Sequence, residues 1–223
     1  MERKLLFRAL TKFLSGLLLF GLLLFLPAGT LNWRQGWLLI GILFVPMLAA
    51  GFVLMAKNPE LLRKRLNVKE EQGGQKAVIL LSGILFTASF VLAGLNFRFQ
   101  WIVLPEWVSG AAAAVFLLGD ALYAEVLREN AYLSRTVEVQ ENQKVVDTGL
   151  YGVVRHPMYA ATLLLFPAMP LVLGSPVSFL LMLLYIPVIM LRIRGEEQVL
   201  EKGLEGYGEY KKKVRFRLFP HVW

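Results

Sequence analysis

Six apolar stretches recur along this chain of 223 residues, and they constrain its fold more than any other feature. They are Phe13–Ala28, Trp37–Ala56, Ala77–Leu95, Val108–Leu127, Met158–Leu173 and Val177–Leu191. A helix crossing the hydrocarbon core of a bilayer needs about 20 mostly apolar residues, with about 17 as a practical lower limit. The second, third and fourth stretches meet that length. The first meets it once Leu5–Lys12 is included, because long basic side chains snorkel to the interface. The last two are shorter. Gly174-Ser175-Pro176 between them reads as a tight turn joining two antiparallel helices. Pro167, Pro170 and Pro187 are expected to kink these helices, which a bundle tolerates when neighbours satisfy the freed carbonyls. Hydrophobic residues make up 57% of the chain and charged ones 18%. Soluble domains run at about 45–50% and about 25%, so the solvent for most of this sequence is lipid. The expected fold is all-α, a multi-pass integral membrane bundle of about six segments that ends in a helical hairpin.

The net charge of +8 would suit a nucleic-acid partner, but its distribution points to a membrane surface. Basic residues gather in Arg3–Lys12, Lys57–Lys76 (with Lys69), Arg128–Arg155 (with Arg135) and Arg192–Arg217. Those four groups hold 22 of the 24 lysines and arginines, leaving only Arg34 and Arg98 for the intervening loops. Under the positive-inside rule this bias puts both termini in the cytoplasm. Trp33, Trp37, Trp101 and Trp107 flank the poorly charged loops as an interfacial belt. No cleavable signal is evident, since no small-residue cleavage site follows the first apolar run. Cysteine is absent and there are two histidines, His156 and His221. Disulfides and thiolate metal sites are thereby ruled out, and a metal centre is not expected.

The chain divides by chemical character. Residues 1–107 hold the first three apolar stretches and little suggestive chemistry, whereas 108–223 become rich in polar groups at the cytoplasmic side. The densest stretch is Asp147–Tyr159, in which Tyr151, Arg155, His156 and Tyr159 crowd the start of the fifth apolar stretch. Pro157 suits the first helical turn, where its missing N–H costs nothing. The free N–H groups of that turn then favour an anion. The same residues also read as a juxtamembrane segment anchored at the headgroups. A second cluster, Arg192-Ile193-Arg194-Gly195-Glu196-Glu197, follows the sixth stretch. Arg192 and Glu196 are i,i+4 neighbours and suit a simple ion pair. A short hairpin nevertheless brings the two clusters side by side, setting Arg155, His156 and Tyr159 near Arg192, Glu196 and Glu197. Asp120, inside the fourth stretch, is a functional candidate by its depth, or a structural group bonded between helices. The basic, aromatic tail from Gly206 onward reads as a segment lying on an anionic leaflet.

Taken together, several elements resemble the isoprenylcysteine carboxyl methyltransferase family and its phospholipid-methyltransferase relatives. They are Val139-Gln140, the Gly149-Leu150-Tyr151 turn, Arg155-His156-Pro157-Met158-Tyr159, Glu196-Glu197 and Gly206-Tyr207 followed by Tyr210. The resemblance covers roughly Gly119 to Trp223, and the closing segment looks like that of bacterial members. It implies S-adenosyl-L-methionine as cofactor, held at the cytoplasmic mouth of the C-terminal helices. Carried over, it implies cofactor contacts from Gln140, Lys144, Val145, Val146, Tyr151, His156 and Glu196, with Arg155 and Tyr159 beside them, and an Arg192 that faces the acceptor. The acceptor implied is lipophilic, most like a prenylcysteine carboxylate, or alternatively a phospholipid amine. Glu196 would receive the cofactor's ammonium, and His156 or Arg155 its carboxylate. An amine acceptor must lose a proton, and Glu197 or Asp120 is then the candidate base. Two rivals stand beside this reading. One is a nicotinamide-dependent, steroid-reductase-like enzyme, expected to carry Asn in place of His156. The other is a lipid-binding or transport protein without catalysis.

Overall fold

A computed structural model of the chain describes residues 2–66, 73–134 and 136–223. Lys69 and Arg135, counted among the basic residues above, lie outside the described residues. Among the described residues the regular structure is entirely helical. Nine helices are joined by short loops and one longer connection that contains a single 3-10 turn. They are α1 (Glu2–Ala28), α2 (Arg34–Lys57), α3 (Pro59–Leu66), α4 (Gly73–Phe99), α5 (Glu106–Glu129), α6 (Pro157–Val172), α7 (Pro176–Met182), α8 (Tyr185–Gly203) and α9 (Tyr207–Lys213).

The chain is a multi-pass membrane protein. Arg3–Ala28, Arg34–Lys57, Gln75–Phe99, Glu106–Glu129 and Pro176–Gly203 are long and apolar enough to span a bilayer, and Pro157–Val172 is a shorter apolar helix. Its 16 residues rise about 24 Å, less than the hydrocarbon core of about 30 Å. The six stretches read from the sequence therefore appear as five full-length segments and one short one. Large apolar side chains such as Leu18, Leu26, Phe52 and Leu80 are exposed. Outward-facing leucine and phenylalanine are favourable only where lipid replaces water.

The sixth stretch, expected to kink at Pro187, is interrupted more fully than a kink. It breaks at Leu183-Leu184 into α7 and α8, just before Pro187. Pro187 has no N–H to offer the Leu183 carbonyl, which instead accepts from Ile186 N–H at 3.1 Å, an i→i−3 bond that tightens the turn. The anticipated turn between α6 and α7 is present. Gly174 adopts φ +75°, and the Ser175 hydroxyl caps α7 by accepting from Ser178 N–H.

One core cluster joins α1, α2, α4, α5 and α6 through Leu24, Trp33, Leu39, Phe90, Phe116, Met169 and Val172. A second packs Tyr159 and Met182 against Tyr185, Ile189 and Ile193, with Leu218 of the tail. Helix α5 lies along α6, and α4 runs against α1, α7 and α8. This last contact carries the start of α4 to the end of α8, at the basic end of the bundle.

Candidate active site

The site grows from the residues that enter and leave two helices. His156 is the N-cap of α6, and Pro157 occupies its first turn as expected. The N–H groups of Tyr159 and Ala160 both turn onto the His156 carbonyl, at 3.1 and 3.2 Å. The opening turn thus offers an anion fewer free donors than the sequence suggested. Across from it, the middle of α8 presents Arg192, Glu196 and Glu197.

The two clusters meet. Arg155 Nε donates to Glu197 Oε1 at 2.8 Å, and His156 Nε2 lies 3.3 Å from the same oxygen. Arg217 Nε donates to Glu197 Oε2 at 3.0 Å. The Tyr159 hydroxyl donates to Glu196 Oε2 at 2.5 Å and accepts from Arg192 Nε at 3.3 Å. A buried carboxylate is tolerated only when paired and hydrogen-bonded. Glu197, with a side chain 5% exposed, meets that condition through three partners. The Glu196 side chain keeps 25% of its surface exposed and faces a cleft.

The tail completes this arrangement, in contrast to the leaflet-bound segment expected. Arg155 Nη1 donates to the carbonyls of Val214 and Arg215 at 2.8 and 2.7 Å. The N–H groups of Arg155 and His156 donate to Phe216 and Arg217 carbonyls, both at 2.9 Å. A buried guanidinium has five donors and no acceptor, and one carboxylate cannot satisfy them all. The tail supplies two more oxygens. It stays in place because Tyr207, Tyr210, Val214 and Leu218 are buried, while Lys212 and Lys213 of α9 face outward.

The turn before α6 is held just as firmly. The Glu129 carboxylate, at the end of α5, accepts from Leu150 N–H at 2.9 and 3.2 Å. Gly149 has φ +52°, and a Cβ placed there would lie 1.6 Å from Glu129 Oε1, so only glycine fits both the backbone and the carboxylate. The Tyr151 hydroxyl accepts from Asn130 Nδ2 at 2.9 Å, and the Tyr151 carbonyl accepts from the Tyr210 hydroxyl at 2.8 Å. Burial pushes the hydroxyl pKa values of Tyr151, Tyr207 and Tyr210 upward, so all three remain protonated donors.

Between the loop 130–148 and the ends of α6, α8 and α9 lies a cleft with an inner free volume of about 100 Å³. Lys144, Val145, Val146, Tyr151, Arg155, His156, Tyr159, Arg192 and Glu196 all line it. Two sequence candidates do not. Gln140 is tied into the loop, where its Nε2 donates to the Tyr132 carbonyl at 2.6 Å and its Oε1 accepts from Lys64 Nζ at 2.5 Å. Glu197 sits behind Arg155 and His156, gripped as described. Asp120 is also away from the cleft, and has no hydrogen-bond partner among the described residues.

Sequence reasoning missed three contributors. Tyr207 lines the cleft, and its buried hydroxyl has no hydrogen-bond partner among the described residues. The 207/210 spacing on one helical face was the signal available for it. The tail carbonyls left no trace in side-chain identity. Gln75, on α4, binds Arg192 from a region with no recognisable motif: its Oε1 accepts from Arg192 Nη1 at 2.8 Å.

Comparison with known proteins bears on the same part of the chain. Residues 108–207 match the phospholipid methyltransferase family. Uncharacterized protein YpbQ of Bacillus subtilis (strain 168) is 26% identical over 167 residues, spanning 74% of this chain and 96% of that protein. Among solved structures, the eukaryotic intramembrane Ras methyltransferase ICMT (isoprenylcysteine carboxyl methyltransferase) superposes with a TM-score of 0.47 at 16% identity, covering 96% of this chain and 85% of that one. The matched residues run from α5 to the first residue of α9 and contain Tyr151, Arg155, His156, Arg192, Glu196 and Glu197. The match to the phospholipid methyltransferase family thus falls on the same C-terminal half in which the motifs carry the resemblance read from the sequence.

Proposed function

We propose that this protein transfers the methyl group of S-adenosyl-L-methionine to a lipophilic acceptor within the membrane, at a site on the cytoplasmic side. The observation that best supports this reading is the convergence of Arg155, His156, Tyr159, Arg192 and Glu196 on one cleft at the basic end of the bundle.

The donor set fits the cofactor. Glu196 offers a partly exposed carboxylate to an ammonium group. Lys144, exposed at the rim, offers a cation to a carboxylate. Tyr132 and Tyr151 line the cleft with aromatic rings, and the Tyr207 hydroxyl awaits an acceptor. The inner volume of about 100 Å³ is below the roughly 300–1,000 Å³ of typical ligand sites. A ligand of that size would extend beyond this inner space toward the rim where Lys144 is exposed.

When bound, S-adenosylmethionine supplies a methyl group already activated on a sulfonium, so the chain need provide no covalent nucleophile. Its residues align the partners and exclude water, which contributes about 7–11 kcal/mol in favourable cases. Arg155 and His156, braced from behind by Glu197, form the floor of the cleft. Tyr159 links the cofactor side, through Glu196, to the acceptor side, through Arg192. The buried, planar guanidinium of Arg192 suits an anionic oxygen acceptor such as a prenylcysteine carboxylate, because its fork matches a carboxylate.

A phospholipid amine is the second reading, favoured by the family matched over residues 108–207. That acceptor must surrender a proton to a base. Glu197 is engaged by three partners, Glu138 accepts from the Thr136 hydroxyl at 3.0 Å, and Glu196 is bound by Tyr159. The carboxylates near the cleft are thus already committed, which supports the carboxylate acceptor over the amine. The discriminating experiment supplies radiolabelled S-adenosylmethionine with either a farnesylcysteine carboxylate or phosphatidylethanolamine vesicles. Base-labile, volatile label from the first acceptor is the expected result. Base-stable label in the phospholipid alone would select the amine, and no transfer to either would sink both.

A further inference from the structure

The first three membrane segments carry no motif, yet one of their residues reaches the centre of the site. Gln75, in the opening turn of α4, is 5% exposed. Its Oε1 accepts from Arg192 Nη1 at 2.8 Å, and its Nε2 donates to the Arg192 carbonyl at 3.3 Å. The amide thus grips one residue by side chain and backbone together. Room for that grip comes from Gly195. A Cβ there would lie 2.0 Å from Gln75 Nε2, although glycine is a poor helix former and Gly195 lies inside α8. The Nε of Arg192 meanwhile donates to Tyr159. The guanidinium is therefore fixed from the α4 side by Gln75 and from the α6 side by Tyr159.

We infer that Gln75 is a positioning residue, which holds the Arg192 guanidinium at the cleft wall and requires glycine at position 195 to do so. This rests on the reading of Arg192 as the group that orients the acceptor. It gives the N-terminal half a part in the reaction, because α4 must dock on α8 for Arg192 to be aimed. A neutral amide suits the task. It accepts a guanidinium N–H without the strong charge pairing that would compete with an anionic acceptor.

The test uses the full-length protein purified in detergent, with three variants and two readouts. Gln75→Ala removes the grip. Gly195→Ala leaves Gln75 in the sequence but pushes its amide aside, and alanine is the better helix former, so the fold is retained. Gln75→Glu keeps an oxygen for Arg192 Nη1. The first readout is phenylglyoxal modification of Arg192, followed by mass spectrometry, with buried Arg155 as internal reference. Modification of Arg192 is expected to rise at least tenfold in Gln75→Ala and Gly195→Ala, to stay near the parent rate in Gln75→Glu, and to leave Arg155 unchanged. The second readout is methyl transfer to the farnesylcysteine probe. It is expected to fall at least fivefold in the first two variants, with S-adenosylmethionine affinity held within threefold. An Arg192 as protected in Gln75→Ala as in the parent would overturn the inference. So would equal exposure of Arg192 and Arg155, which indicates general loosening. Full turnover in Arg192→Lys would instead sink the acceptor role of Arg192, while the labelling result still decides whether Gln75 holds it.

Discussion

Removing the Glu197 carboxylate separates a residue that holds the site together from one that takes a proton. Its side chain is 5% exposed and lies between Arg155, His156 and Arg217 at 2.8, 3.3 and 3.0 Å. Truncating one partner of a buried ion pair costs about 3–5 kcal/mol, because the other charge is left uncompensated. Two features put Glu197→Ala near the lower end. Arg155 keeps the Val214 and Arg215 carbonyls, and Arg217, with a side chain 30% exposed, can turn to water. A loss of about 3 kcal/mol is still a large part of the roughly 5–15 kcal/mol that stabilises a typical domain. Glu197→Gln keeps an oxygen for Arg155 but removes the charge, and a charged hydrogen bond contributes about 1.5–3 kcal/mol. Reversible denaturation in mixed detergent, followed by circular dichroism, should therefore rank the parent above Glu197→Gln and Glu197→Ala last. S-adenosylmethionine affinity should fall in the same order, since His156 and Arg155 lose their support together. Unchanged stability and cofactor affinity in Glu197→Ala, with turnover abolished, would refute this reasoning and make Glu197 a proton acceptor.

Three further outcomes are expected. Arg192→Lys should leave S-adenosylmethionine affinity within about threefold and lower methyl transfer at least tenfold, about 1.4 kcal/mol of transition-state stabilisation, because lysine cannot reproduce a planar fork; calorimetry and turnover in one preparation check it. Gly149→Ala should destabilise the chain by about 2–4 kcal/mol, from a left-handed backbone and an evicted Glu129 carboxylate, whereas Gly174→Ala, with no atom within 4 Å of the added carbon, should show only the backbone part, about 1–2 kcal/mol. In the cysteine-free background, a cysteine replacing Lys212 should label only from the cytoplasm and one replacing Asn32 only from outside; labelling of both from one side would overturn the proposed orientation.

The helices were legible because lipid imposes a length and composition that few other structures share. The hairpin was legible because Gly174, Ser175 and Pro176 punctuate it, and two short antiparallel helices must align their ends. That geometry alone brings Arg155 to Glu197 and Tyr159 to Glu196. The division of labour between Glu196 and Glu197 was not legible. Adjacent residues on a helix point about 100° apart, and identity does not say which one faces the cleft. The break at Leu183-Leu184 shifted from where Pro187 alone would put a kink, because the lost bond falls four residues before the proline. Gln75 was invisible for another reason. A single amide at the start of an apolar helix gains meaning only from α4 docking on α8, and from a glycine 120 residues later in the chain. The tail was misread because its basic residues dominate its composition, while its role is carried by Tyr207, Tyr210 and backbone carbonyls.

The central claim is that the cleft between α6, α8 and the loop 130–148 binds S-adenosylmethionine. Calorimetric titration of that cofactor into the purified parent, Glu196→Ala and His156→Ala tests it most directly. The account predicts saturable binding by the parent and at least tenfold weaker binding in each variant, about 1.4 kcal/mol for the lost charged or polar partner. No binding by the folded parent, or parent-like affinity in both variants, would contradict it.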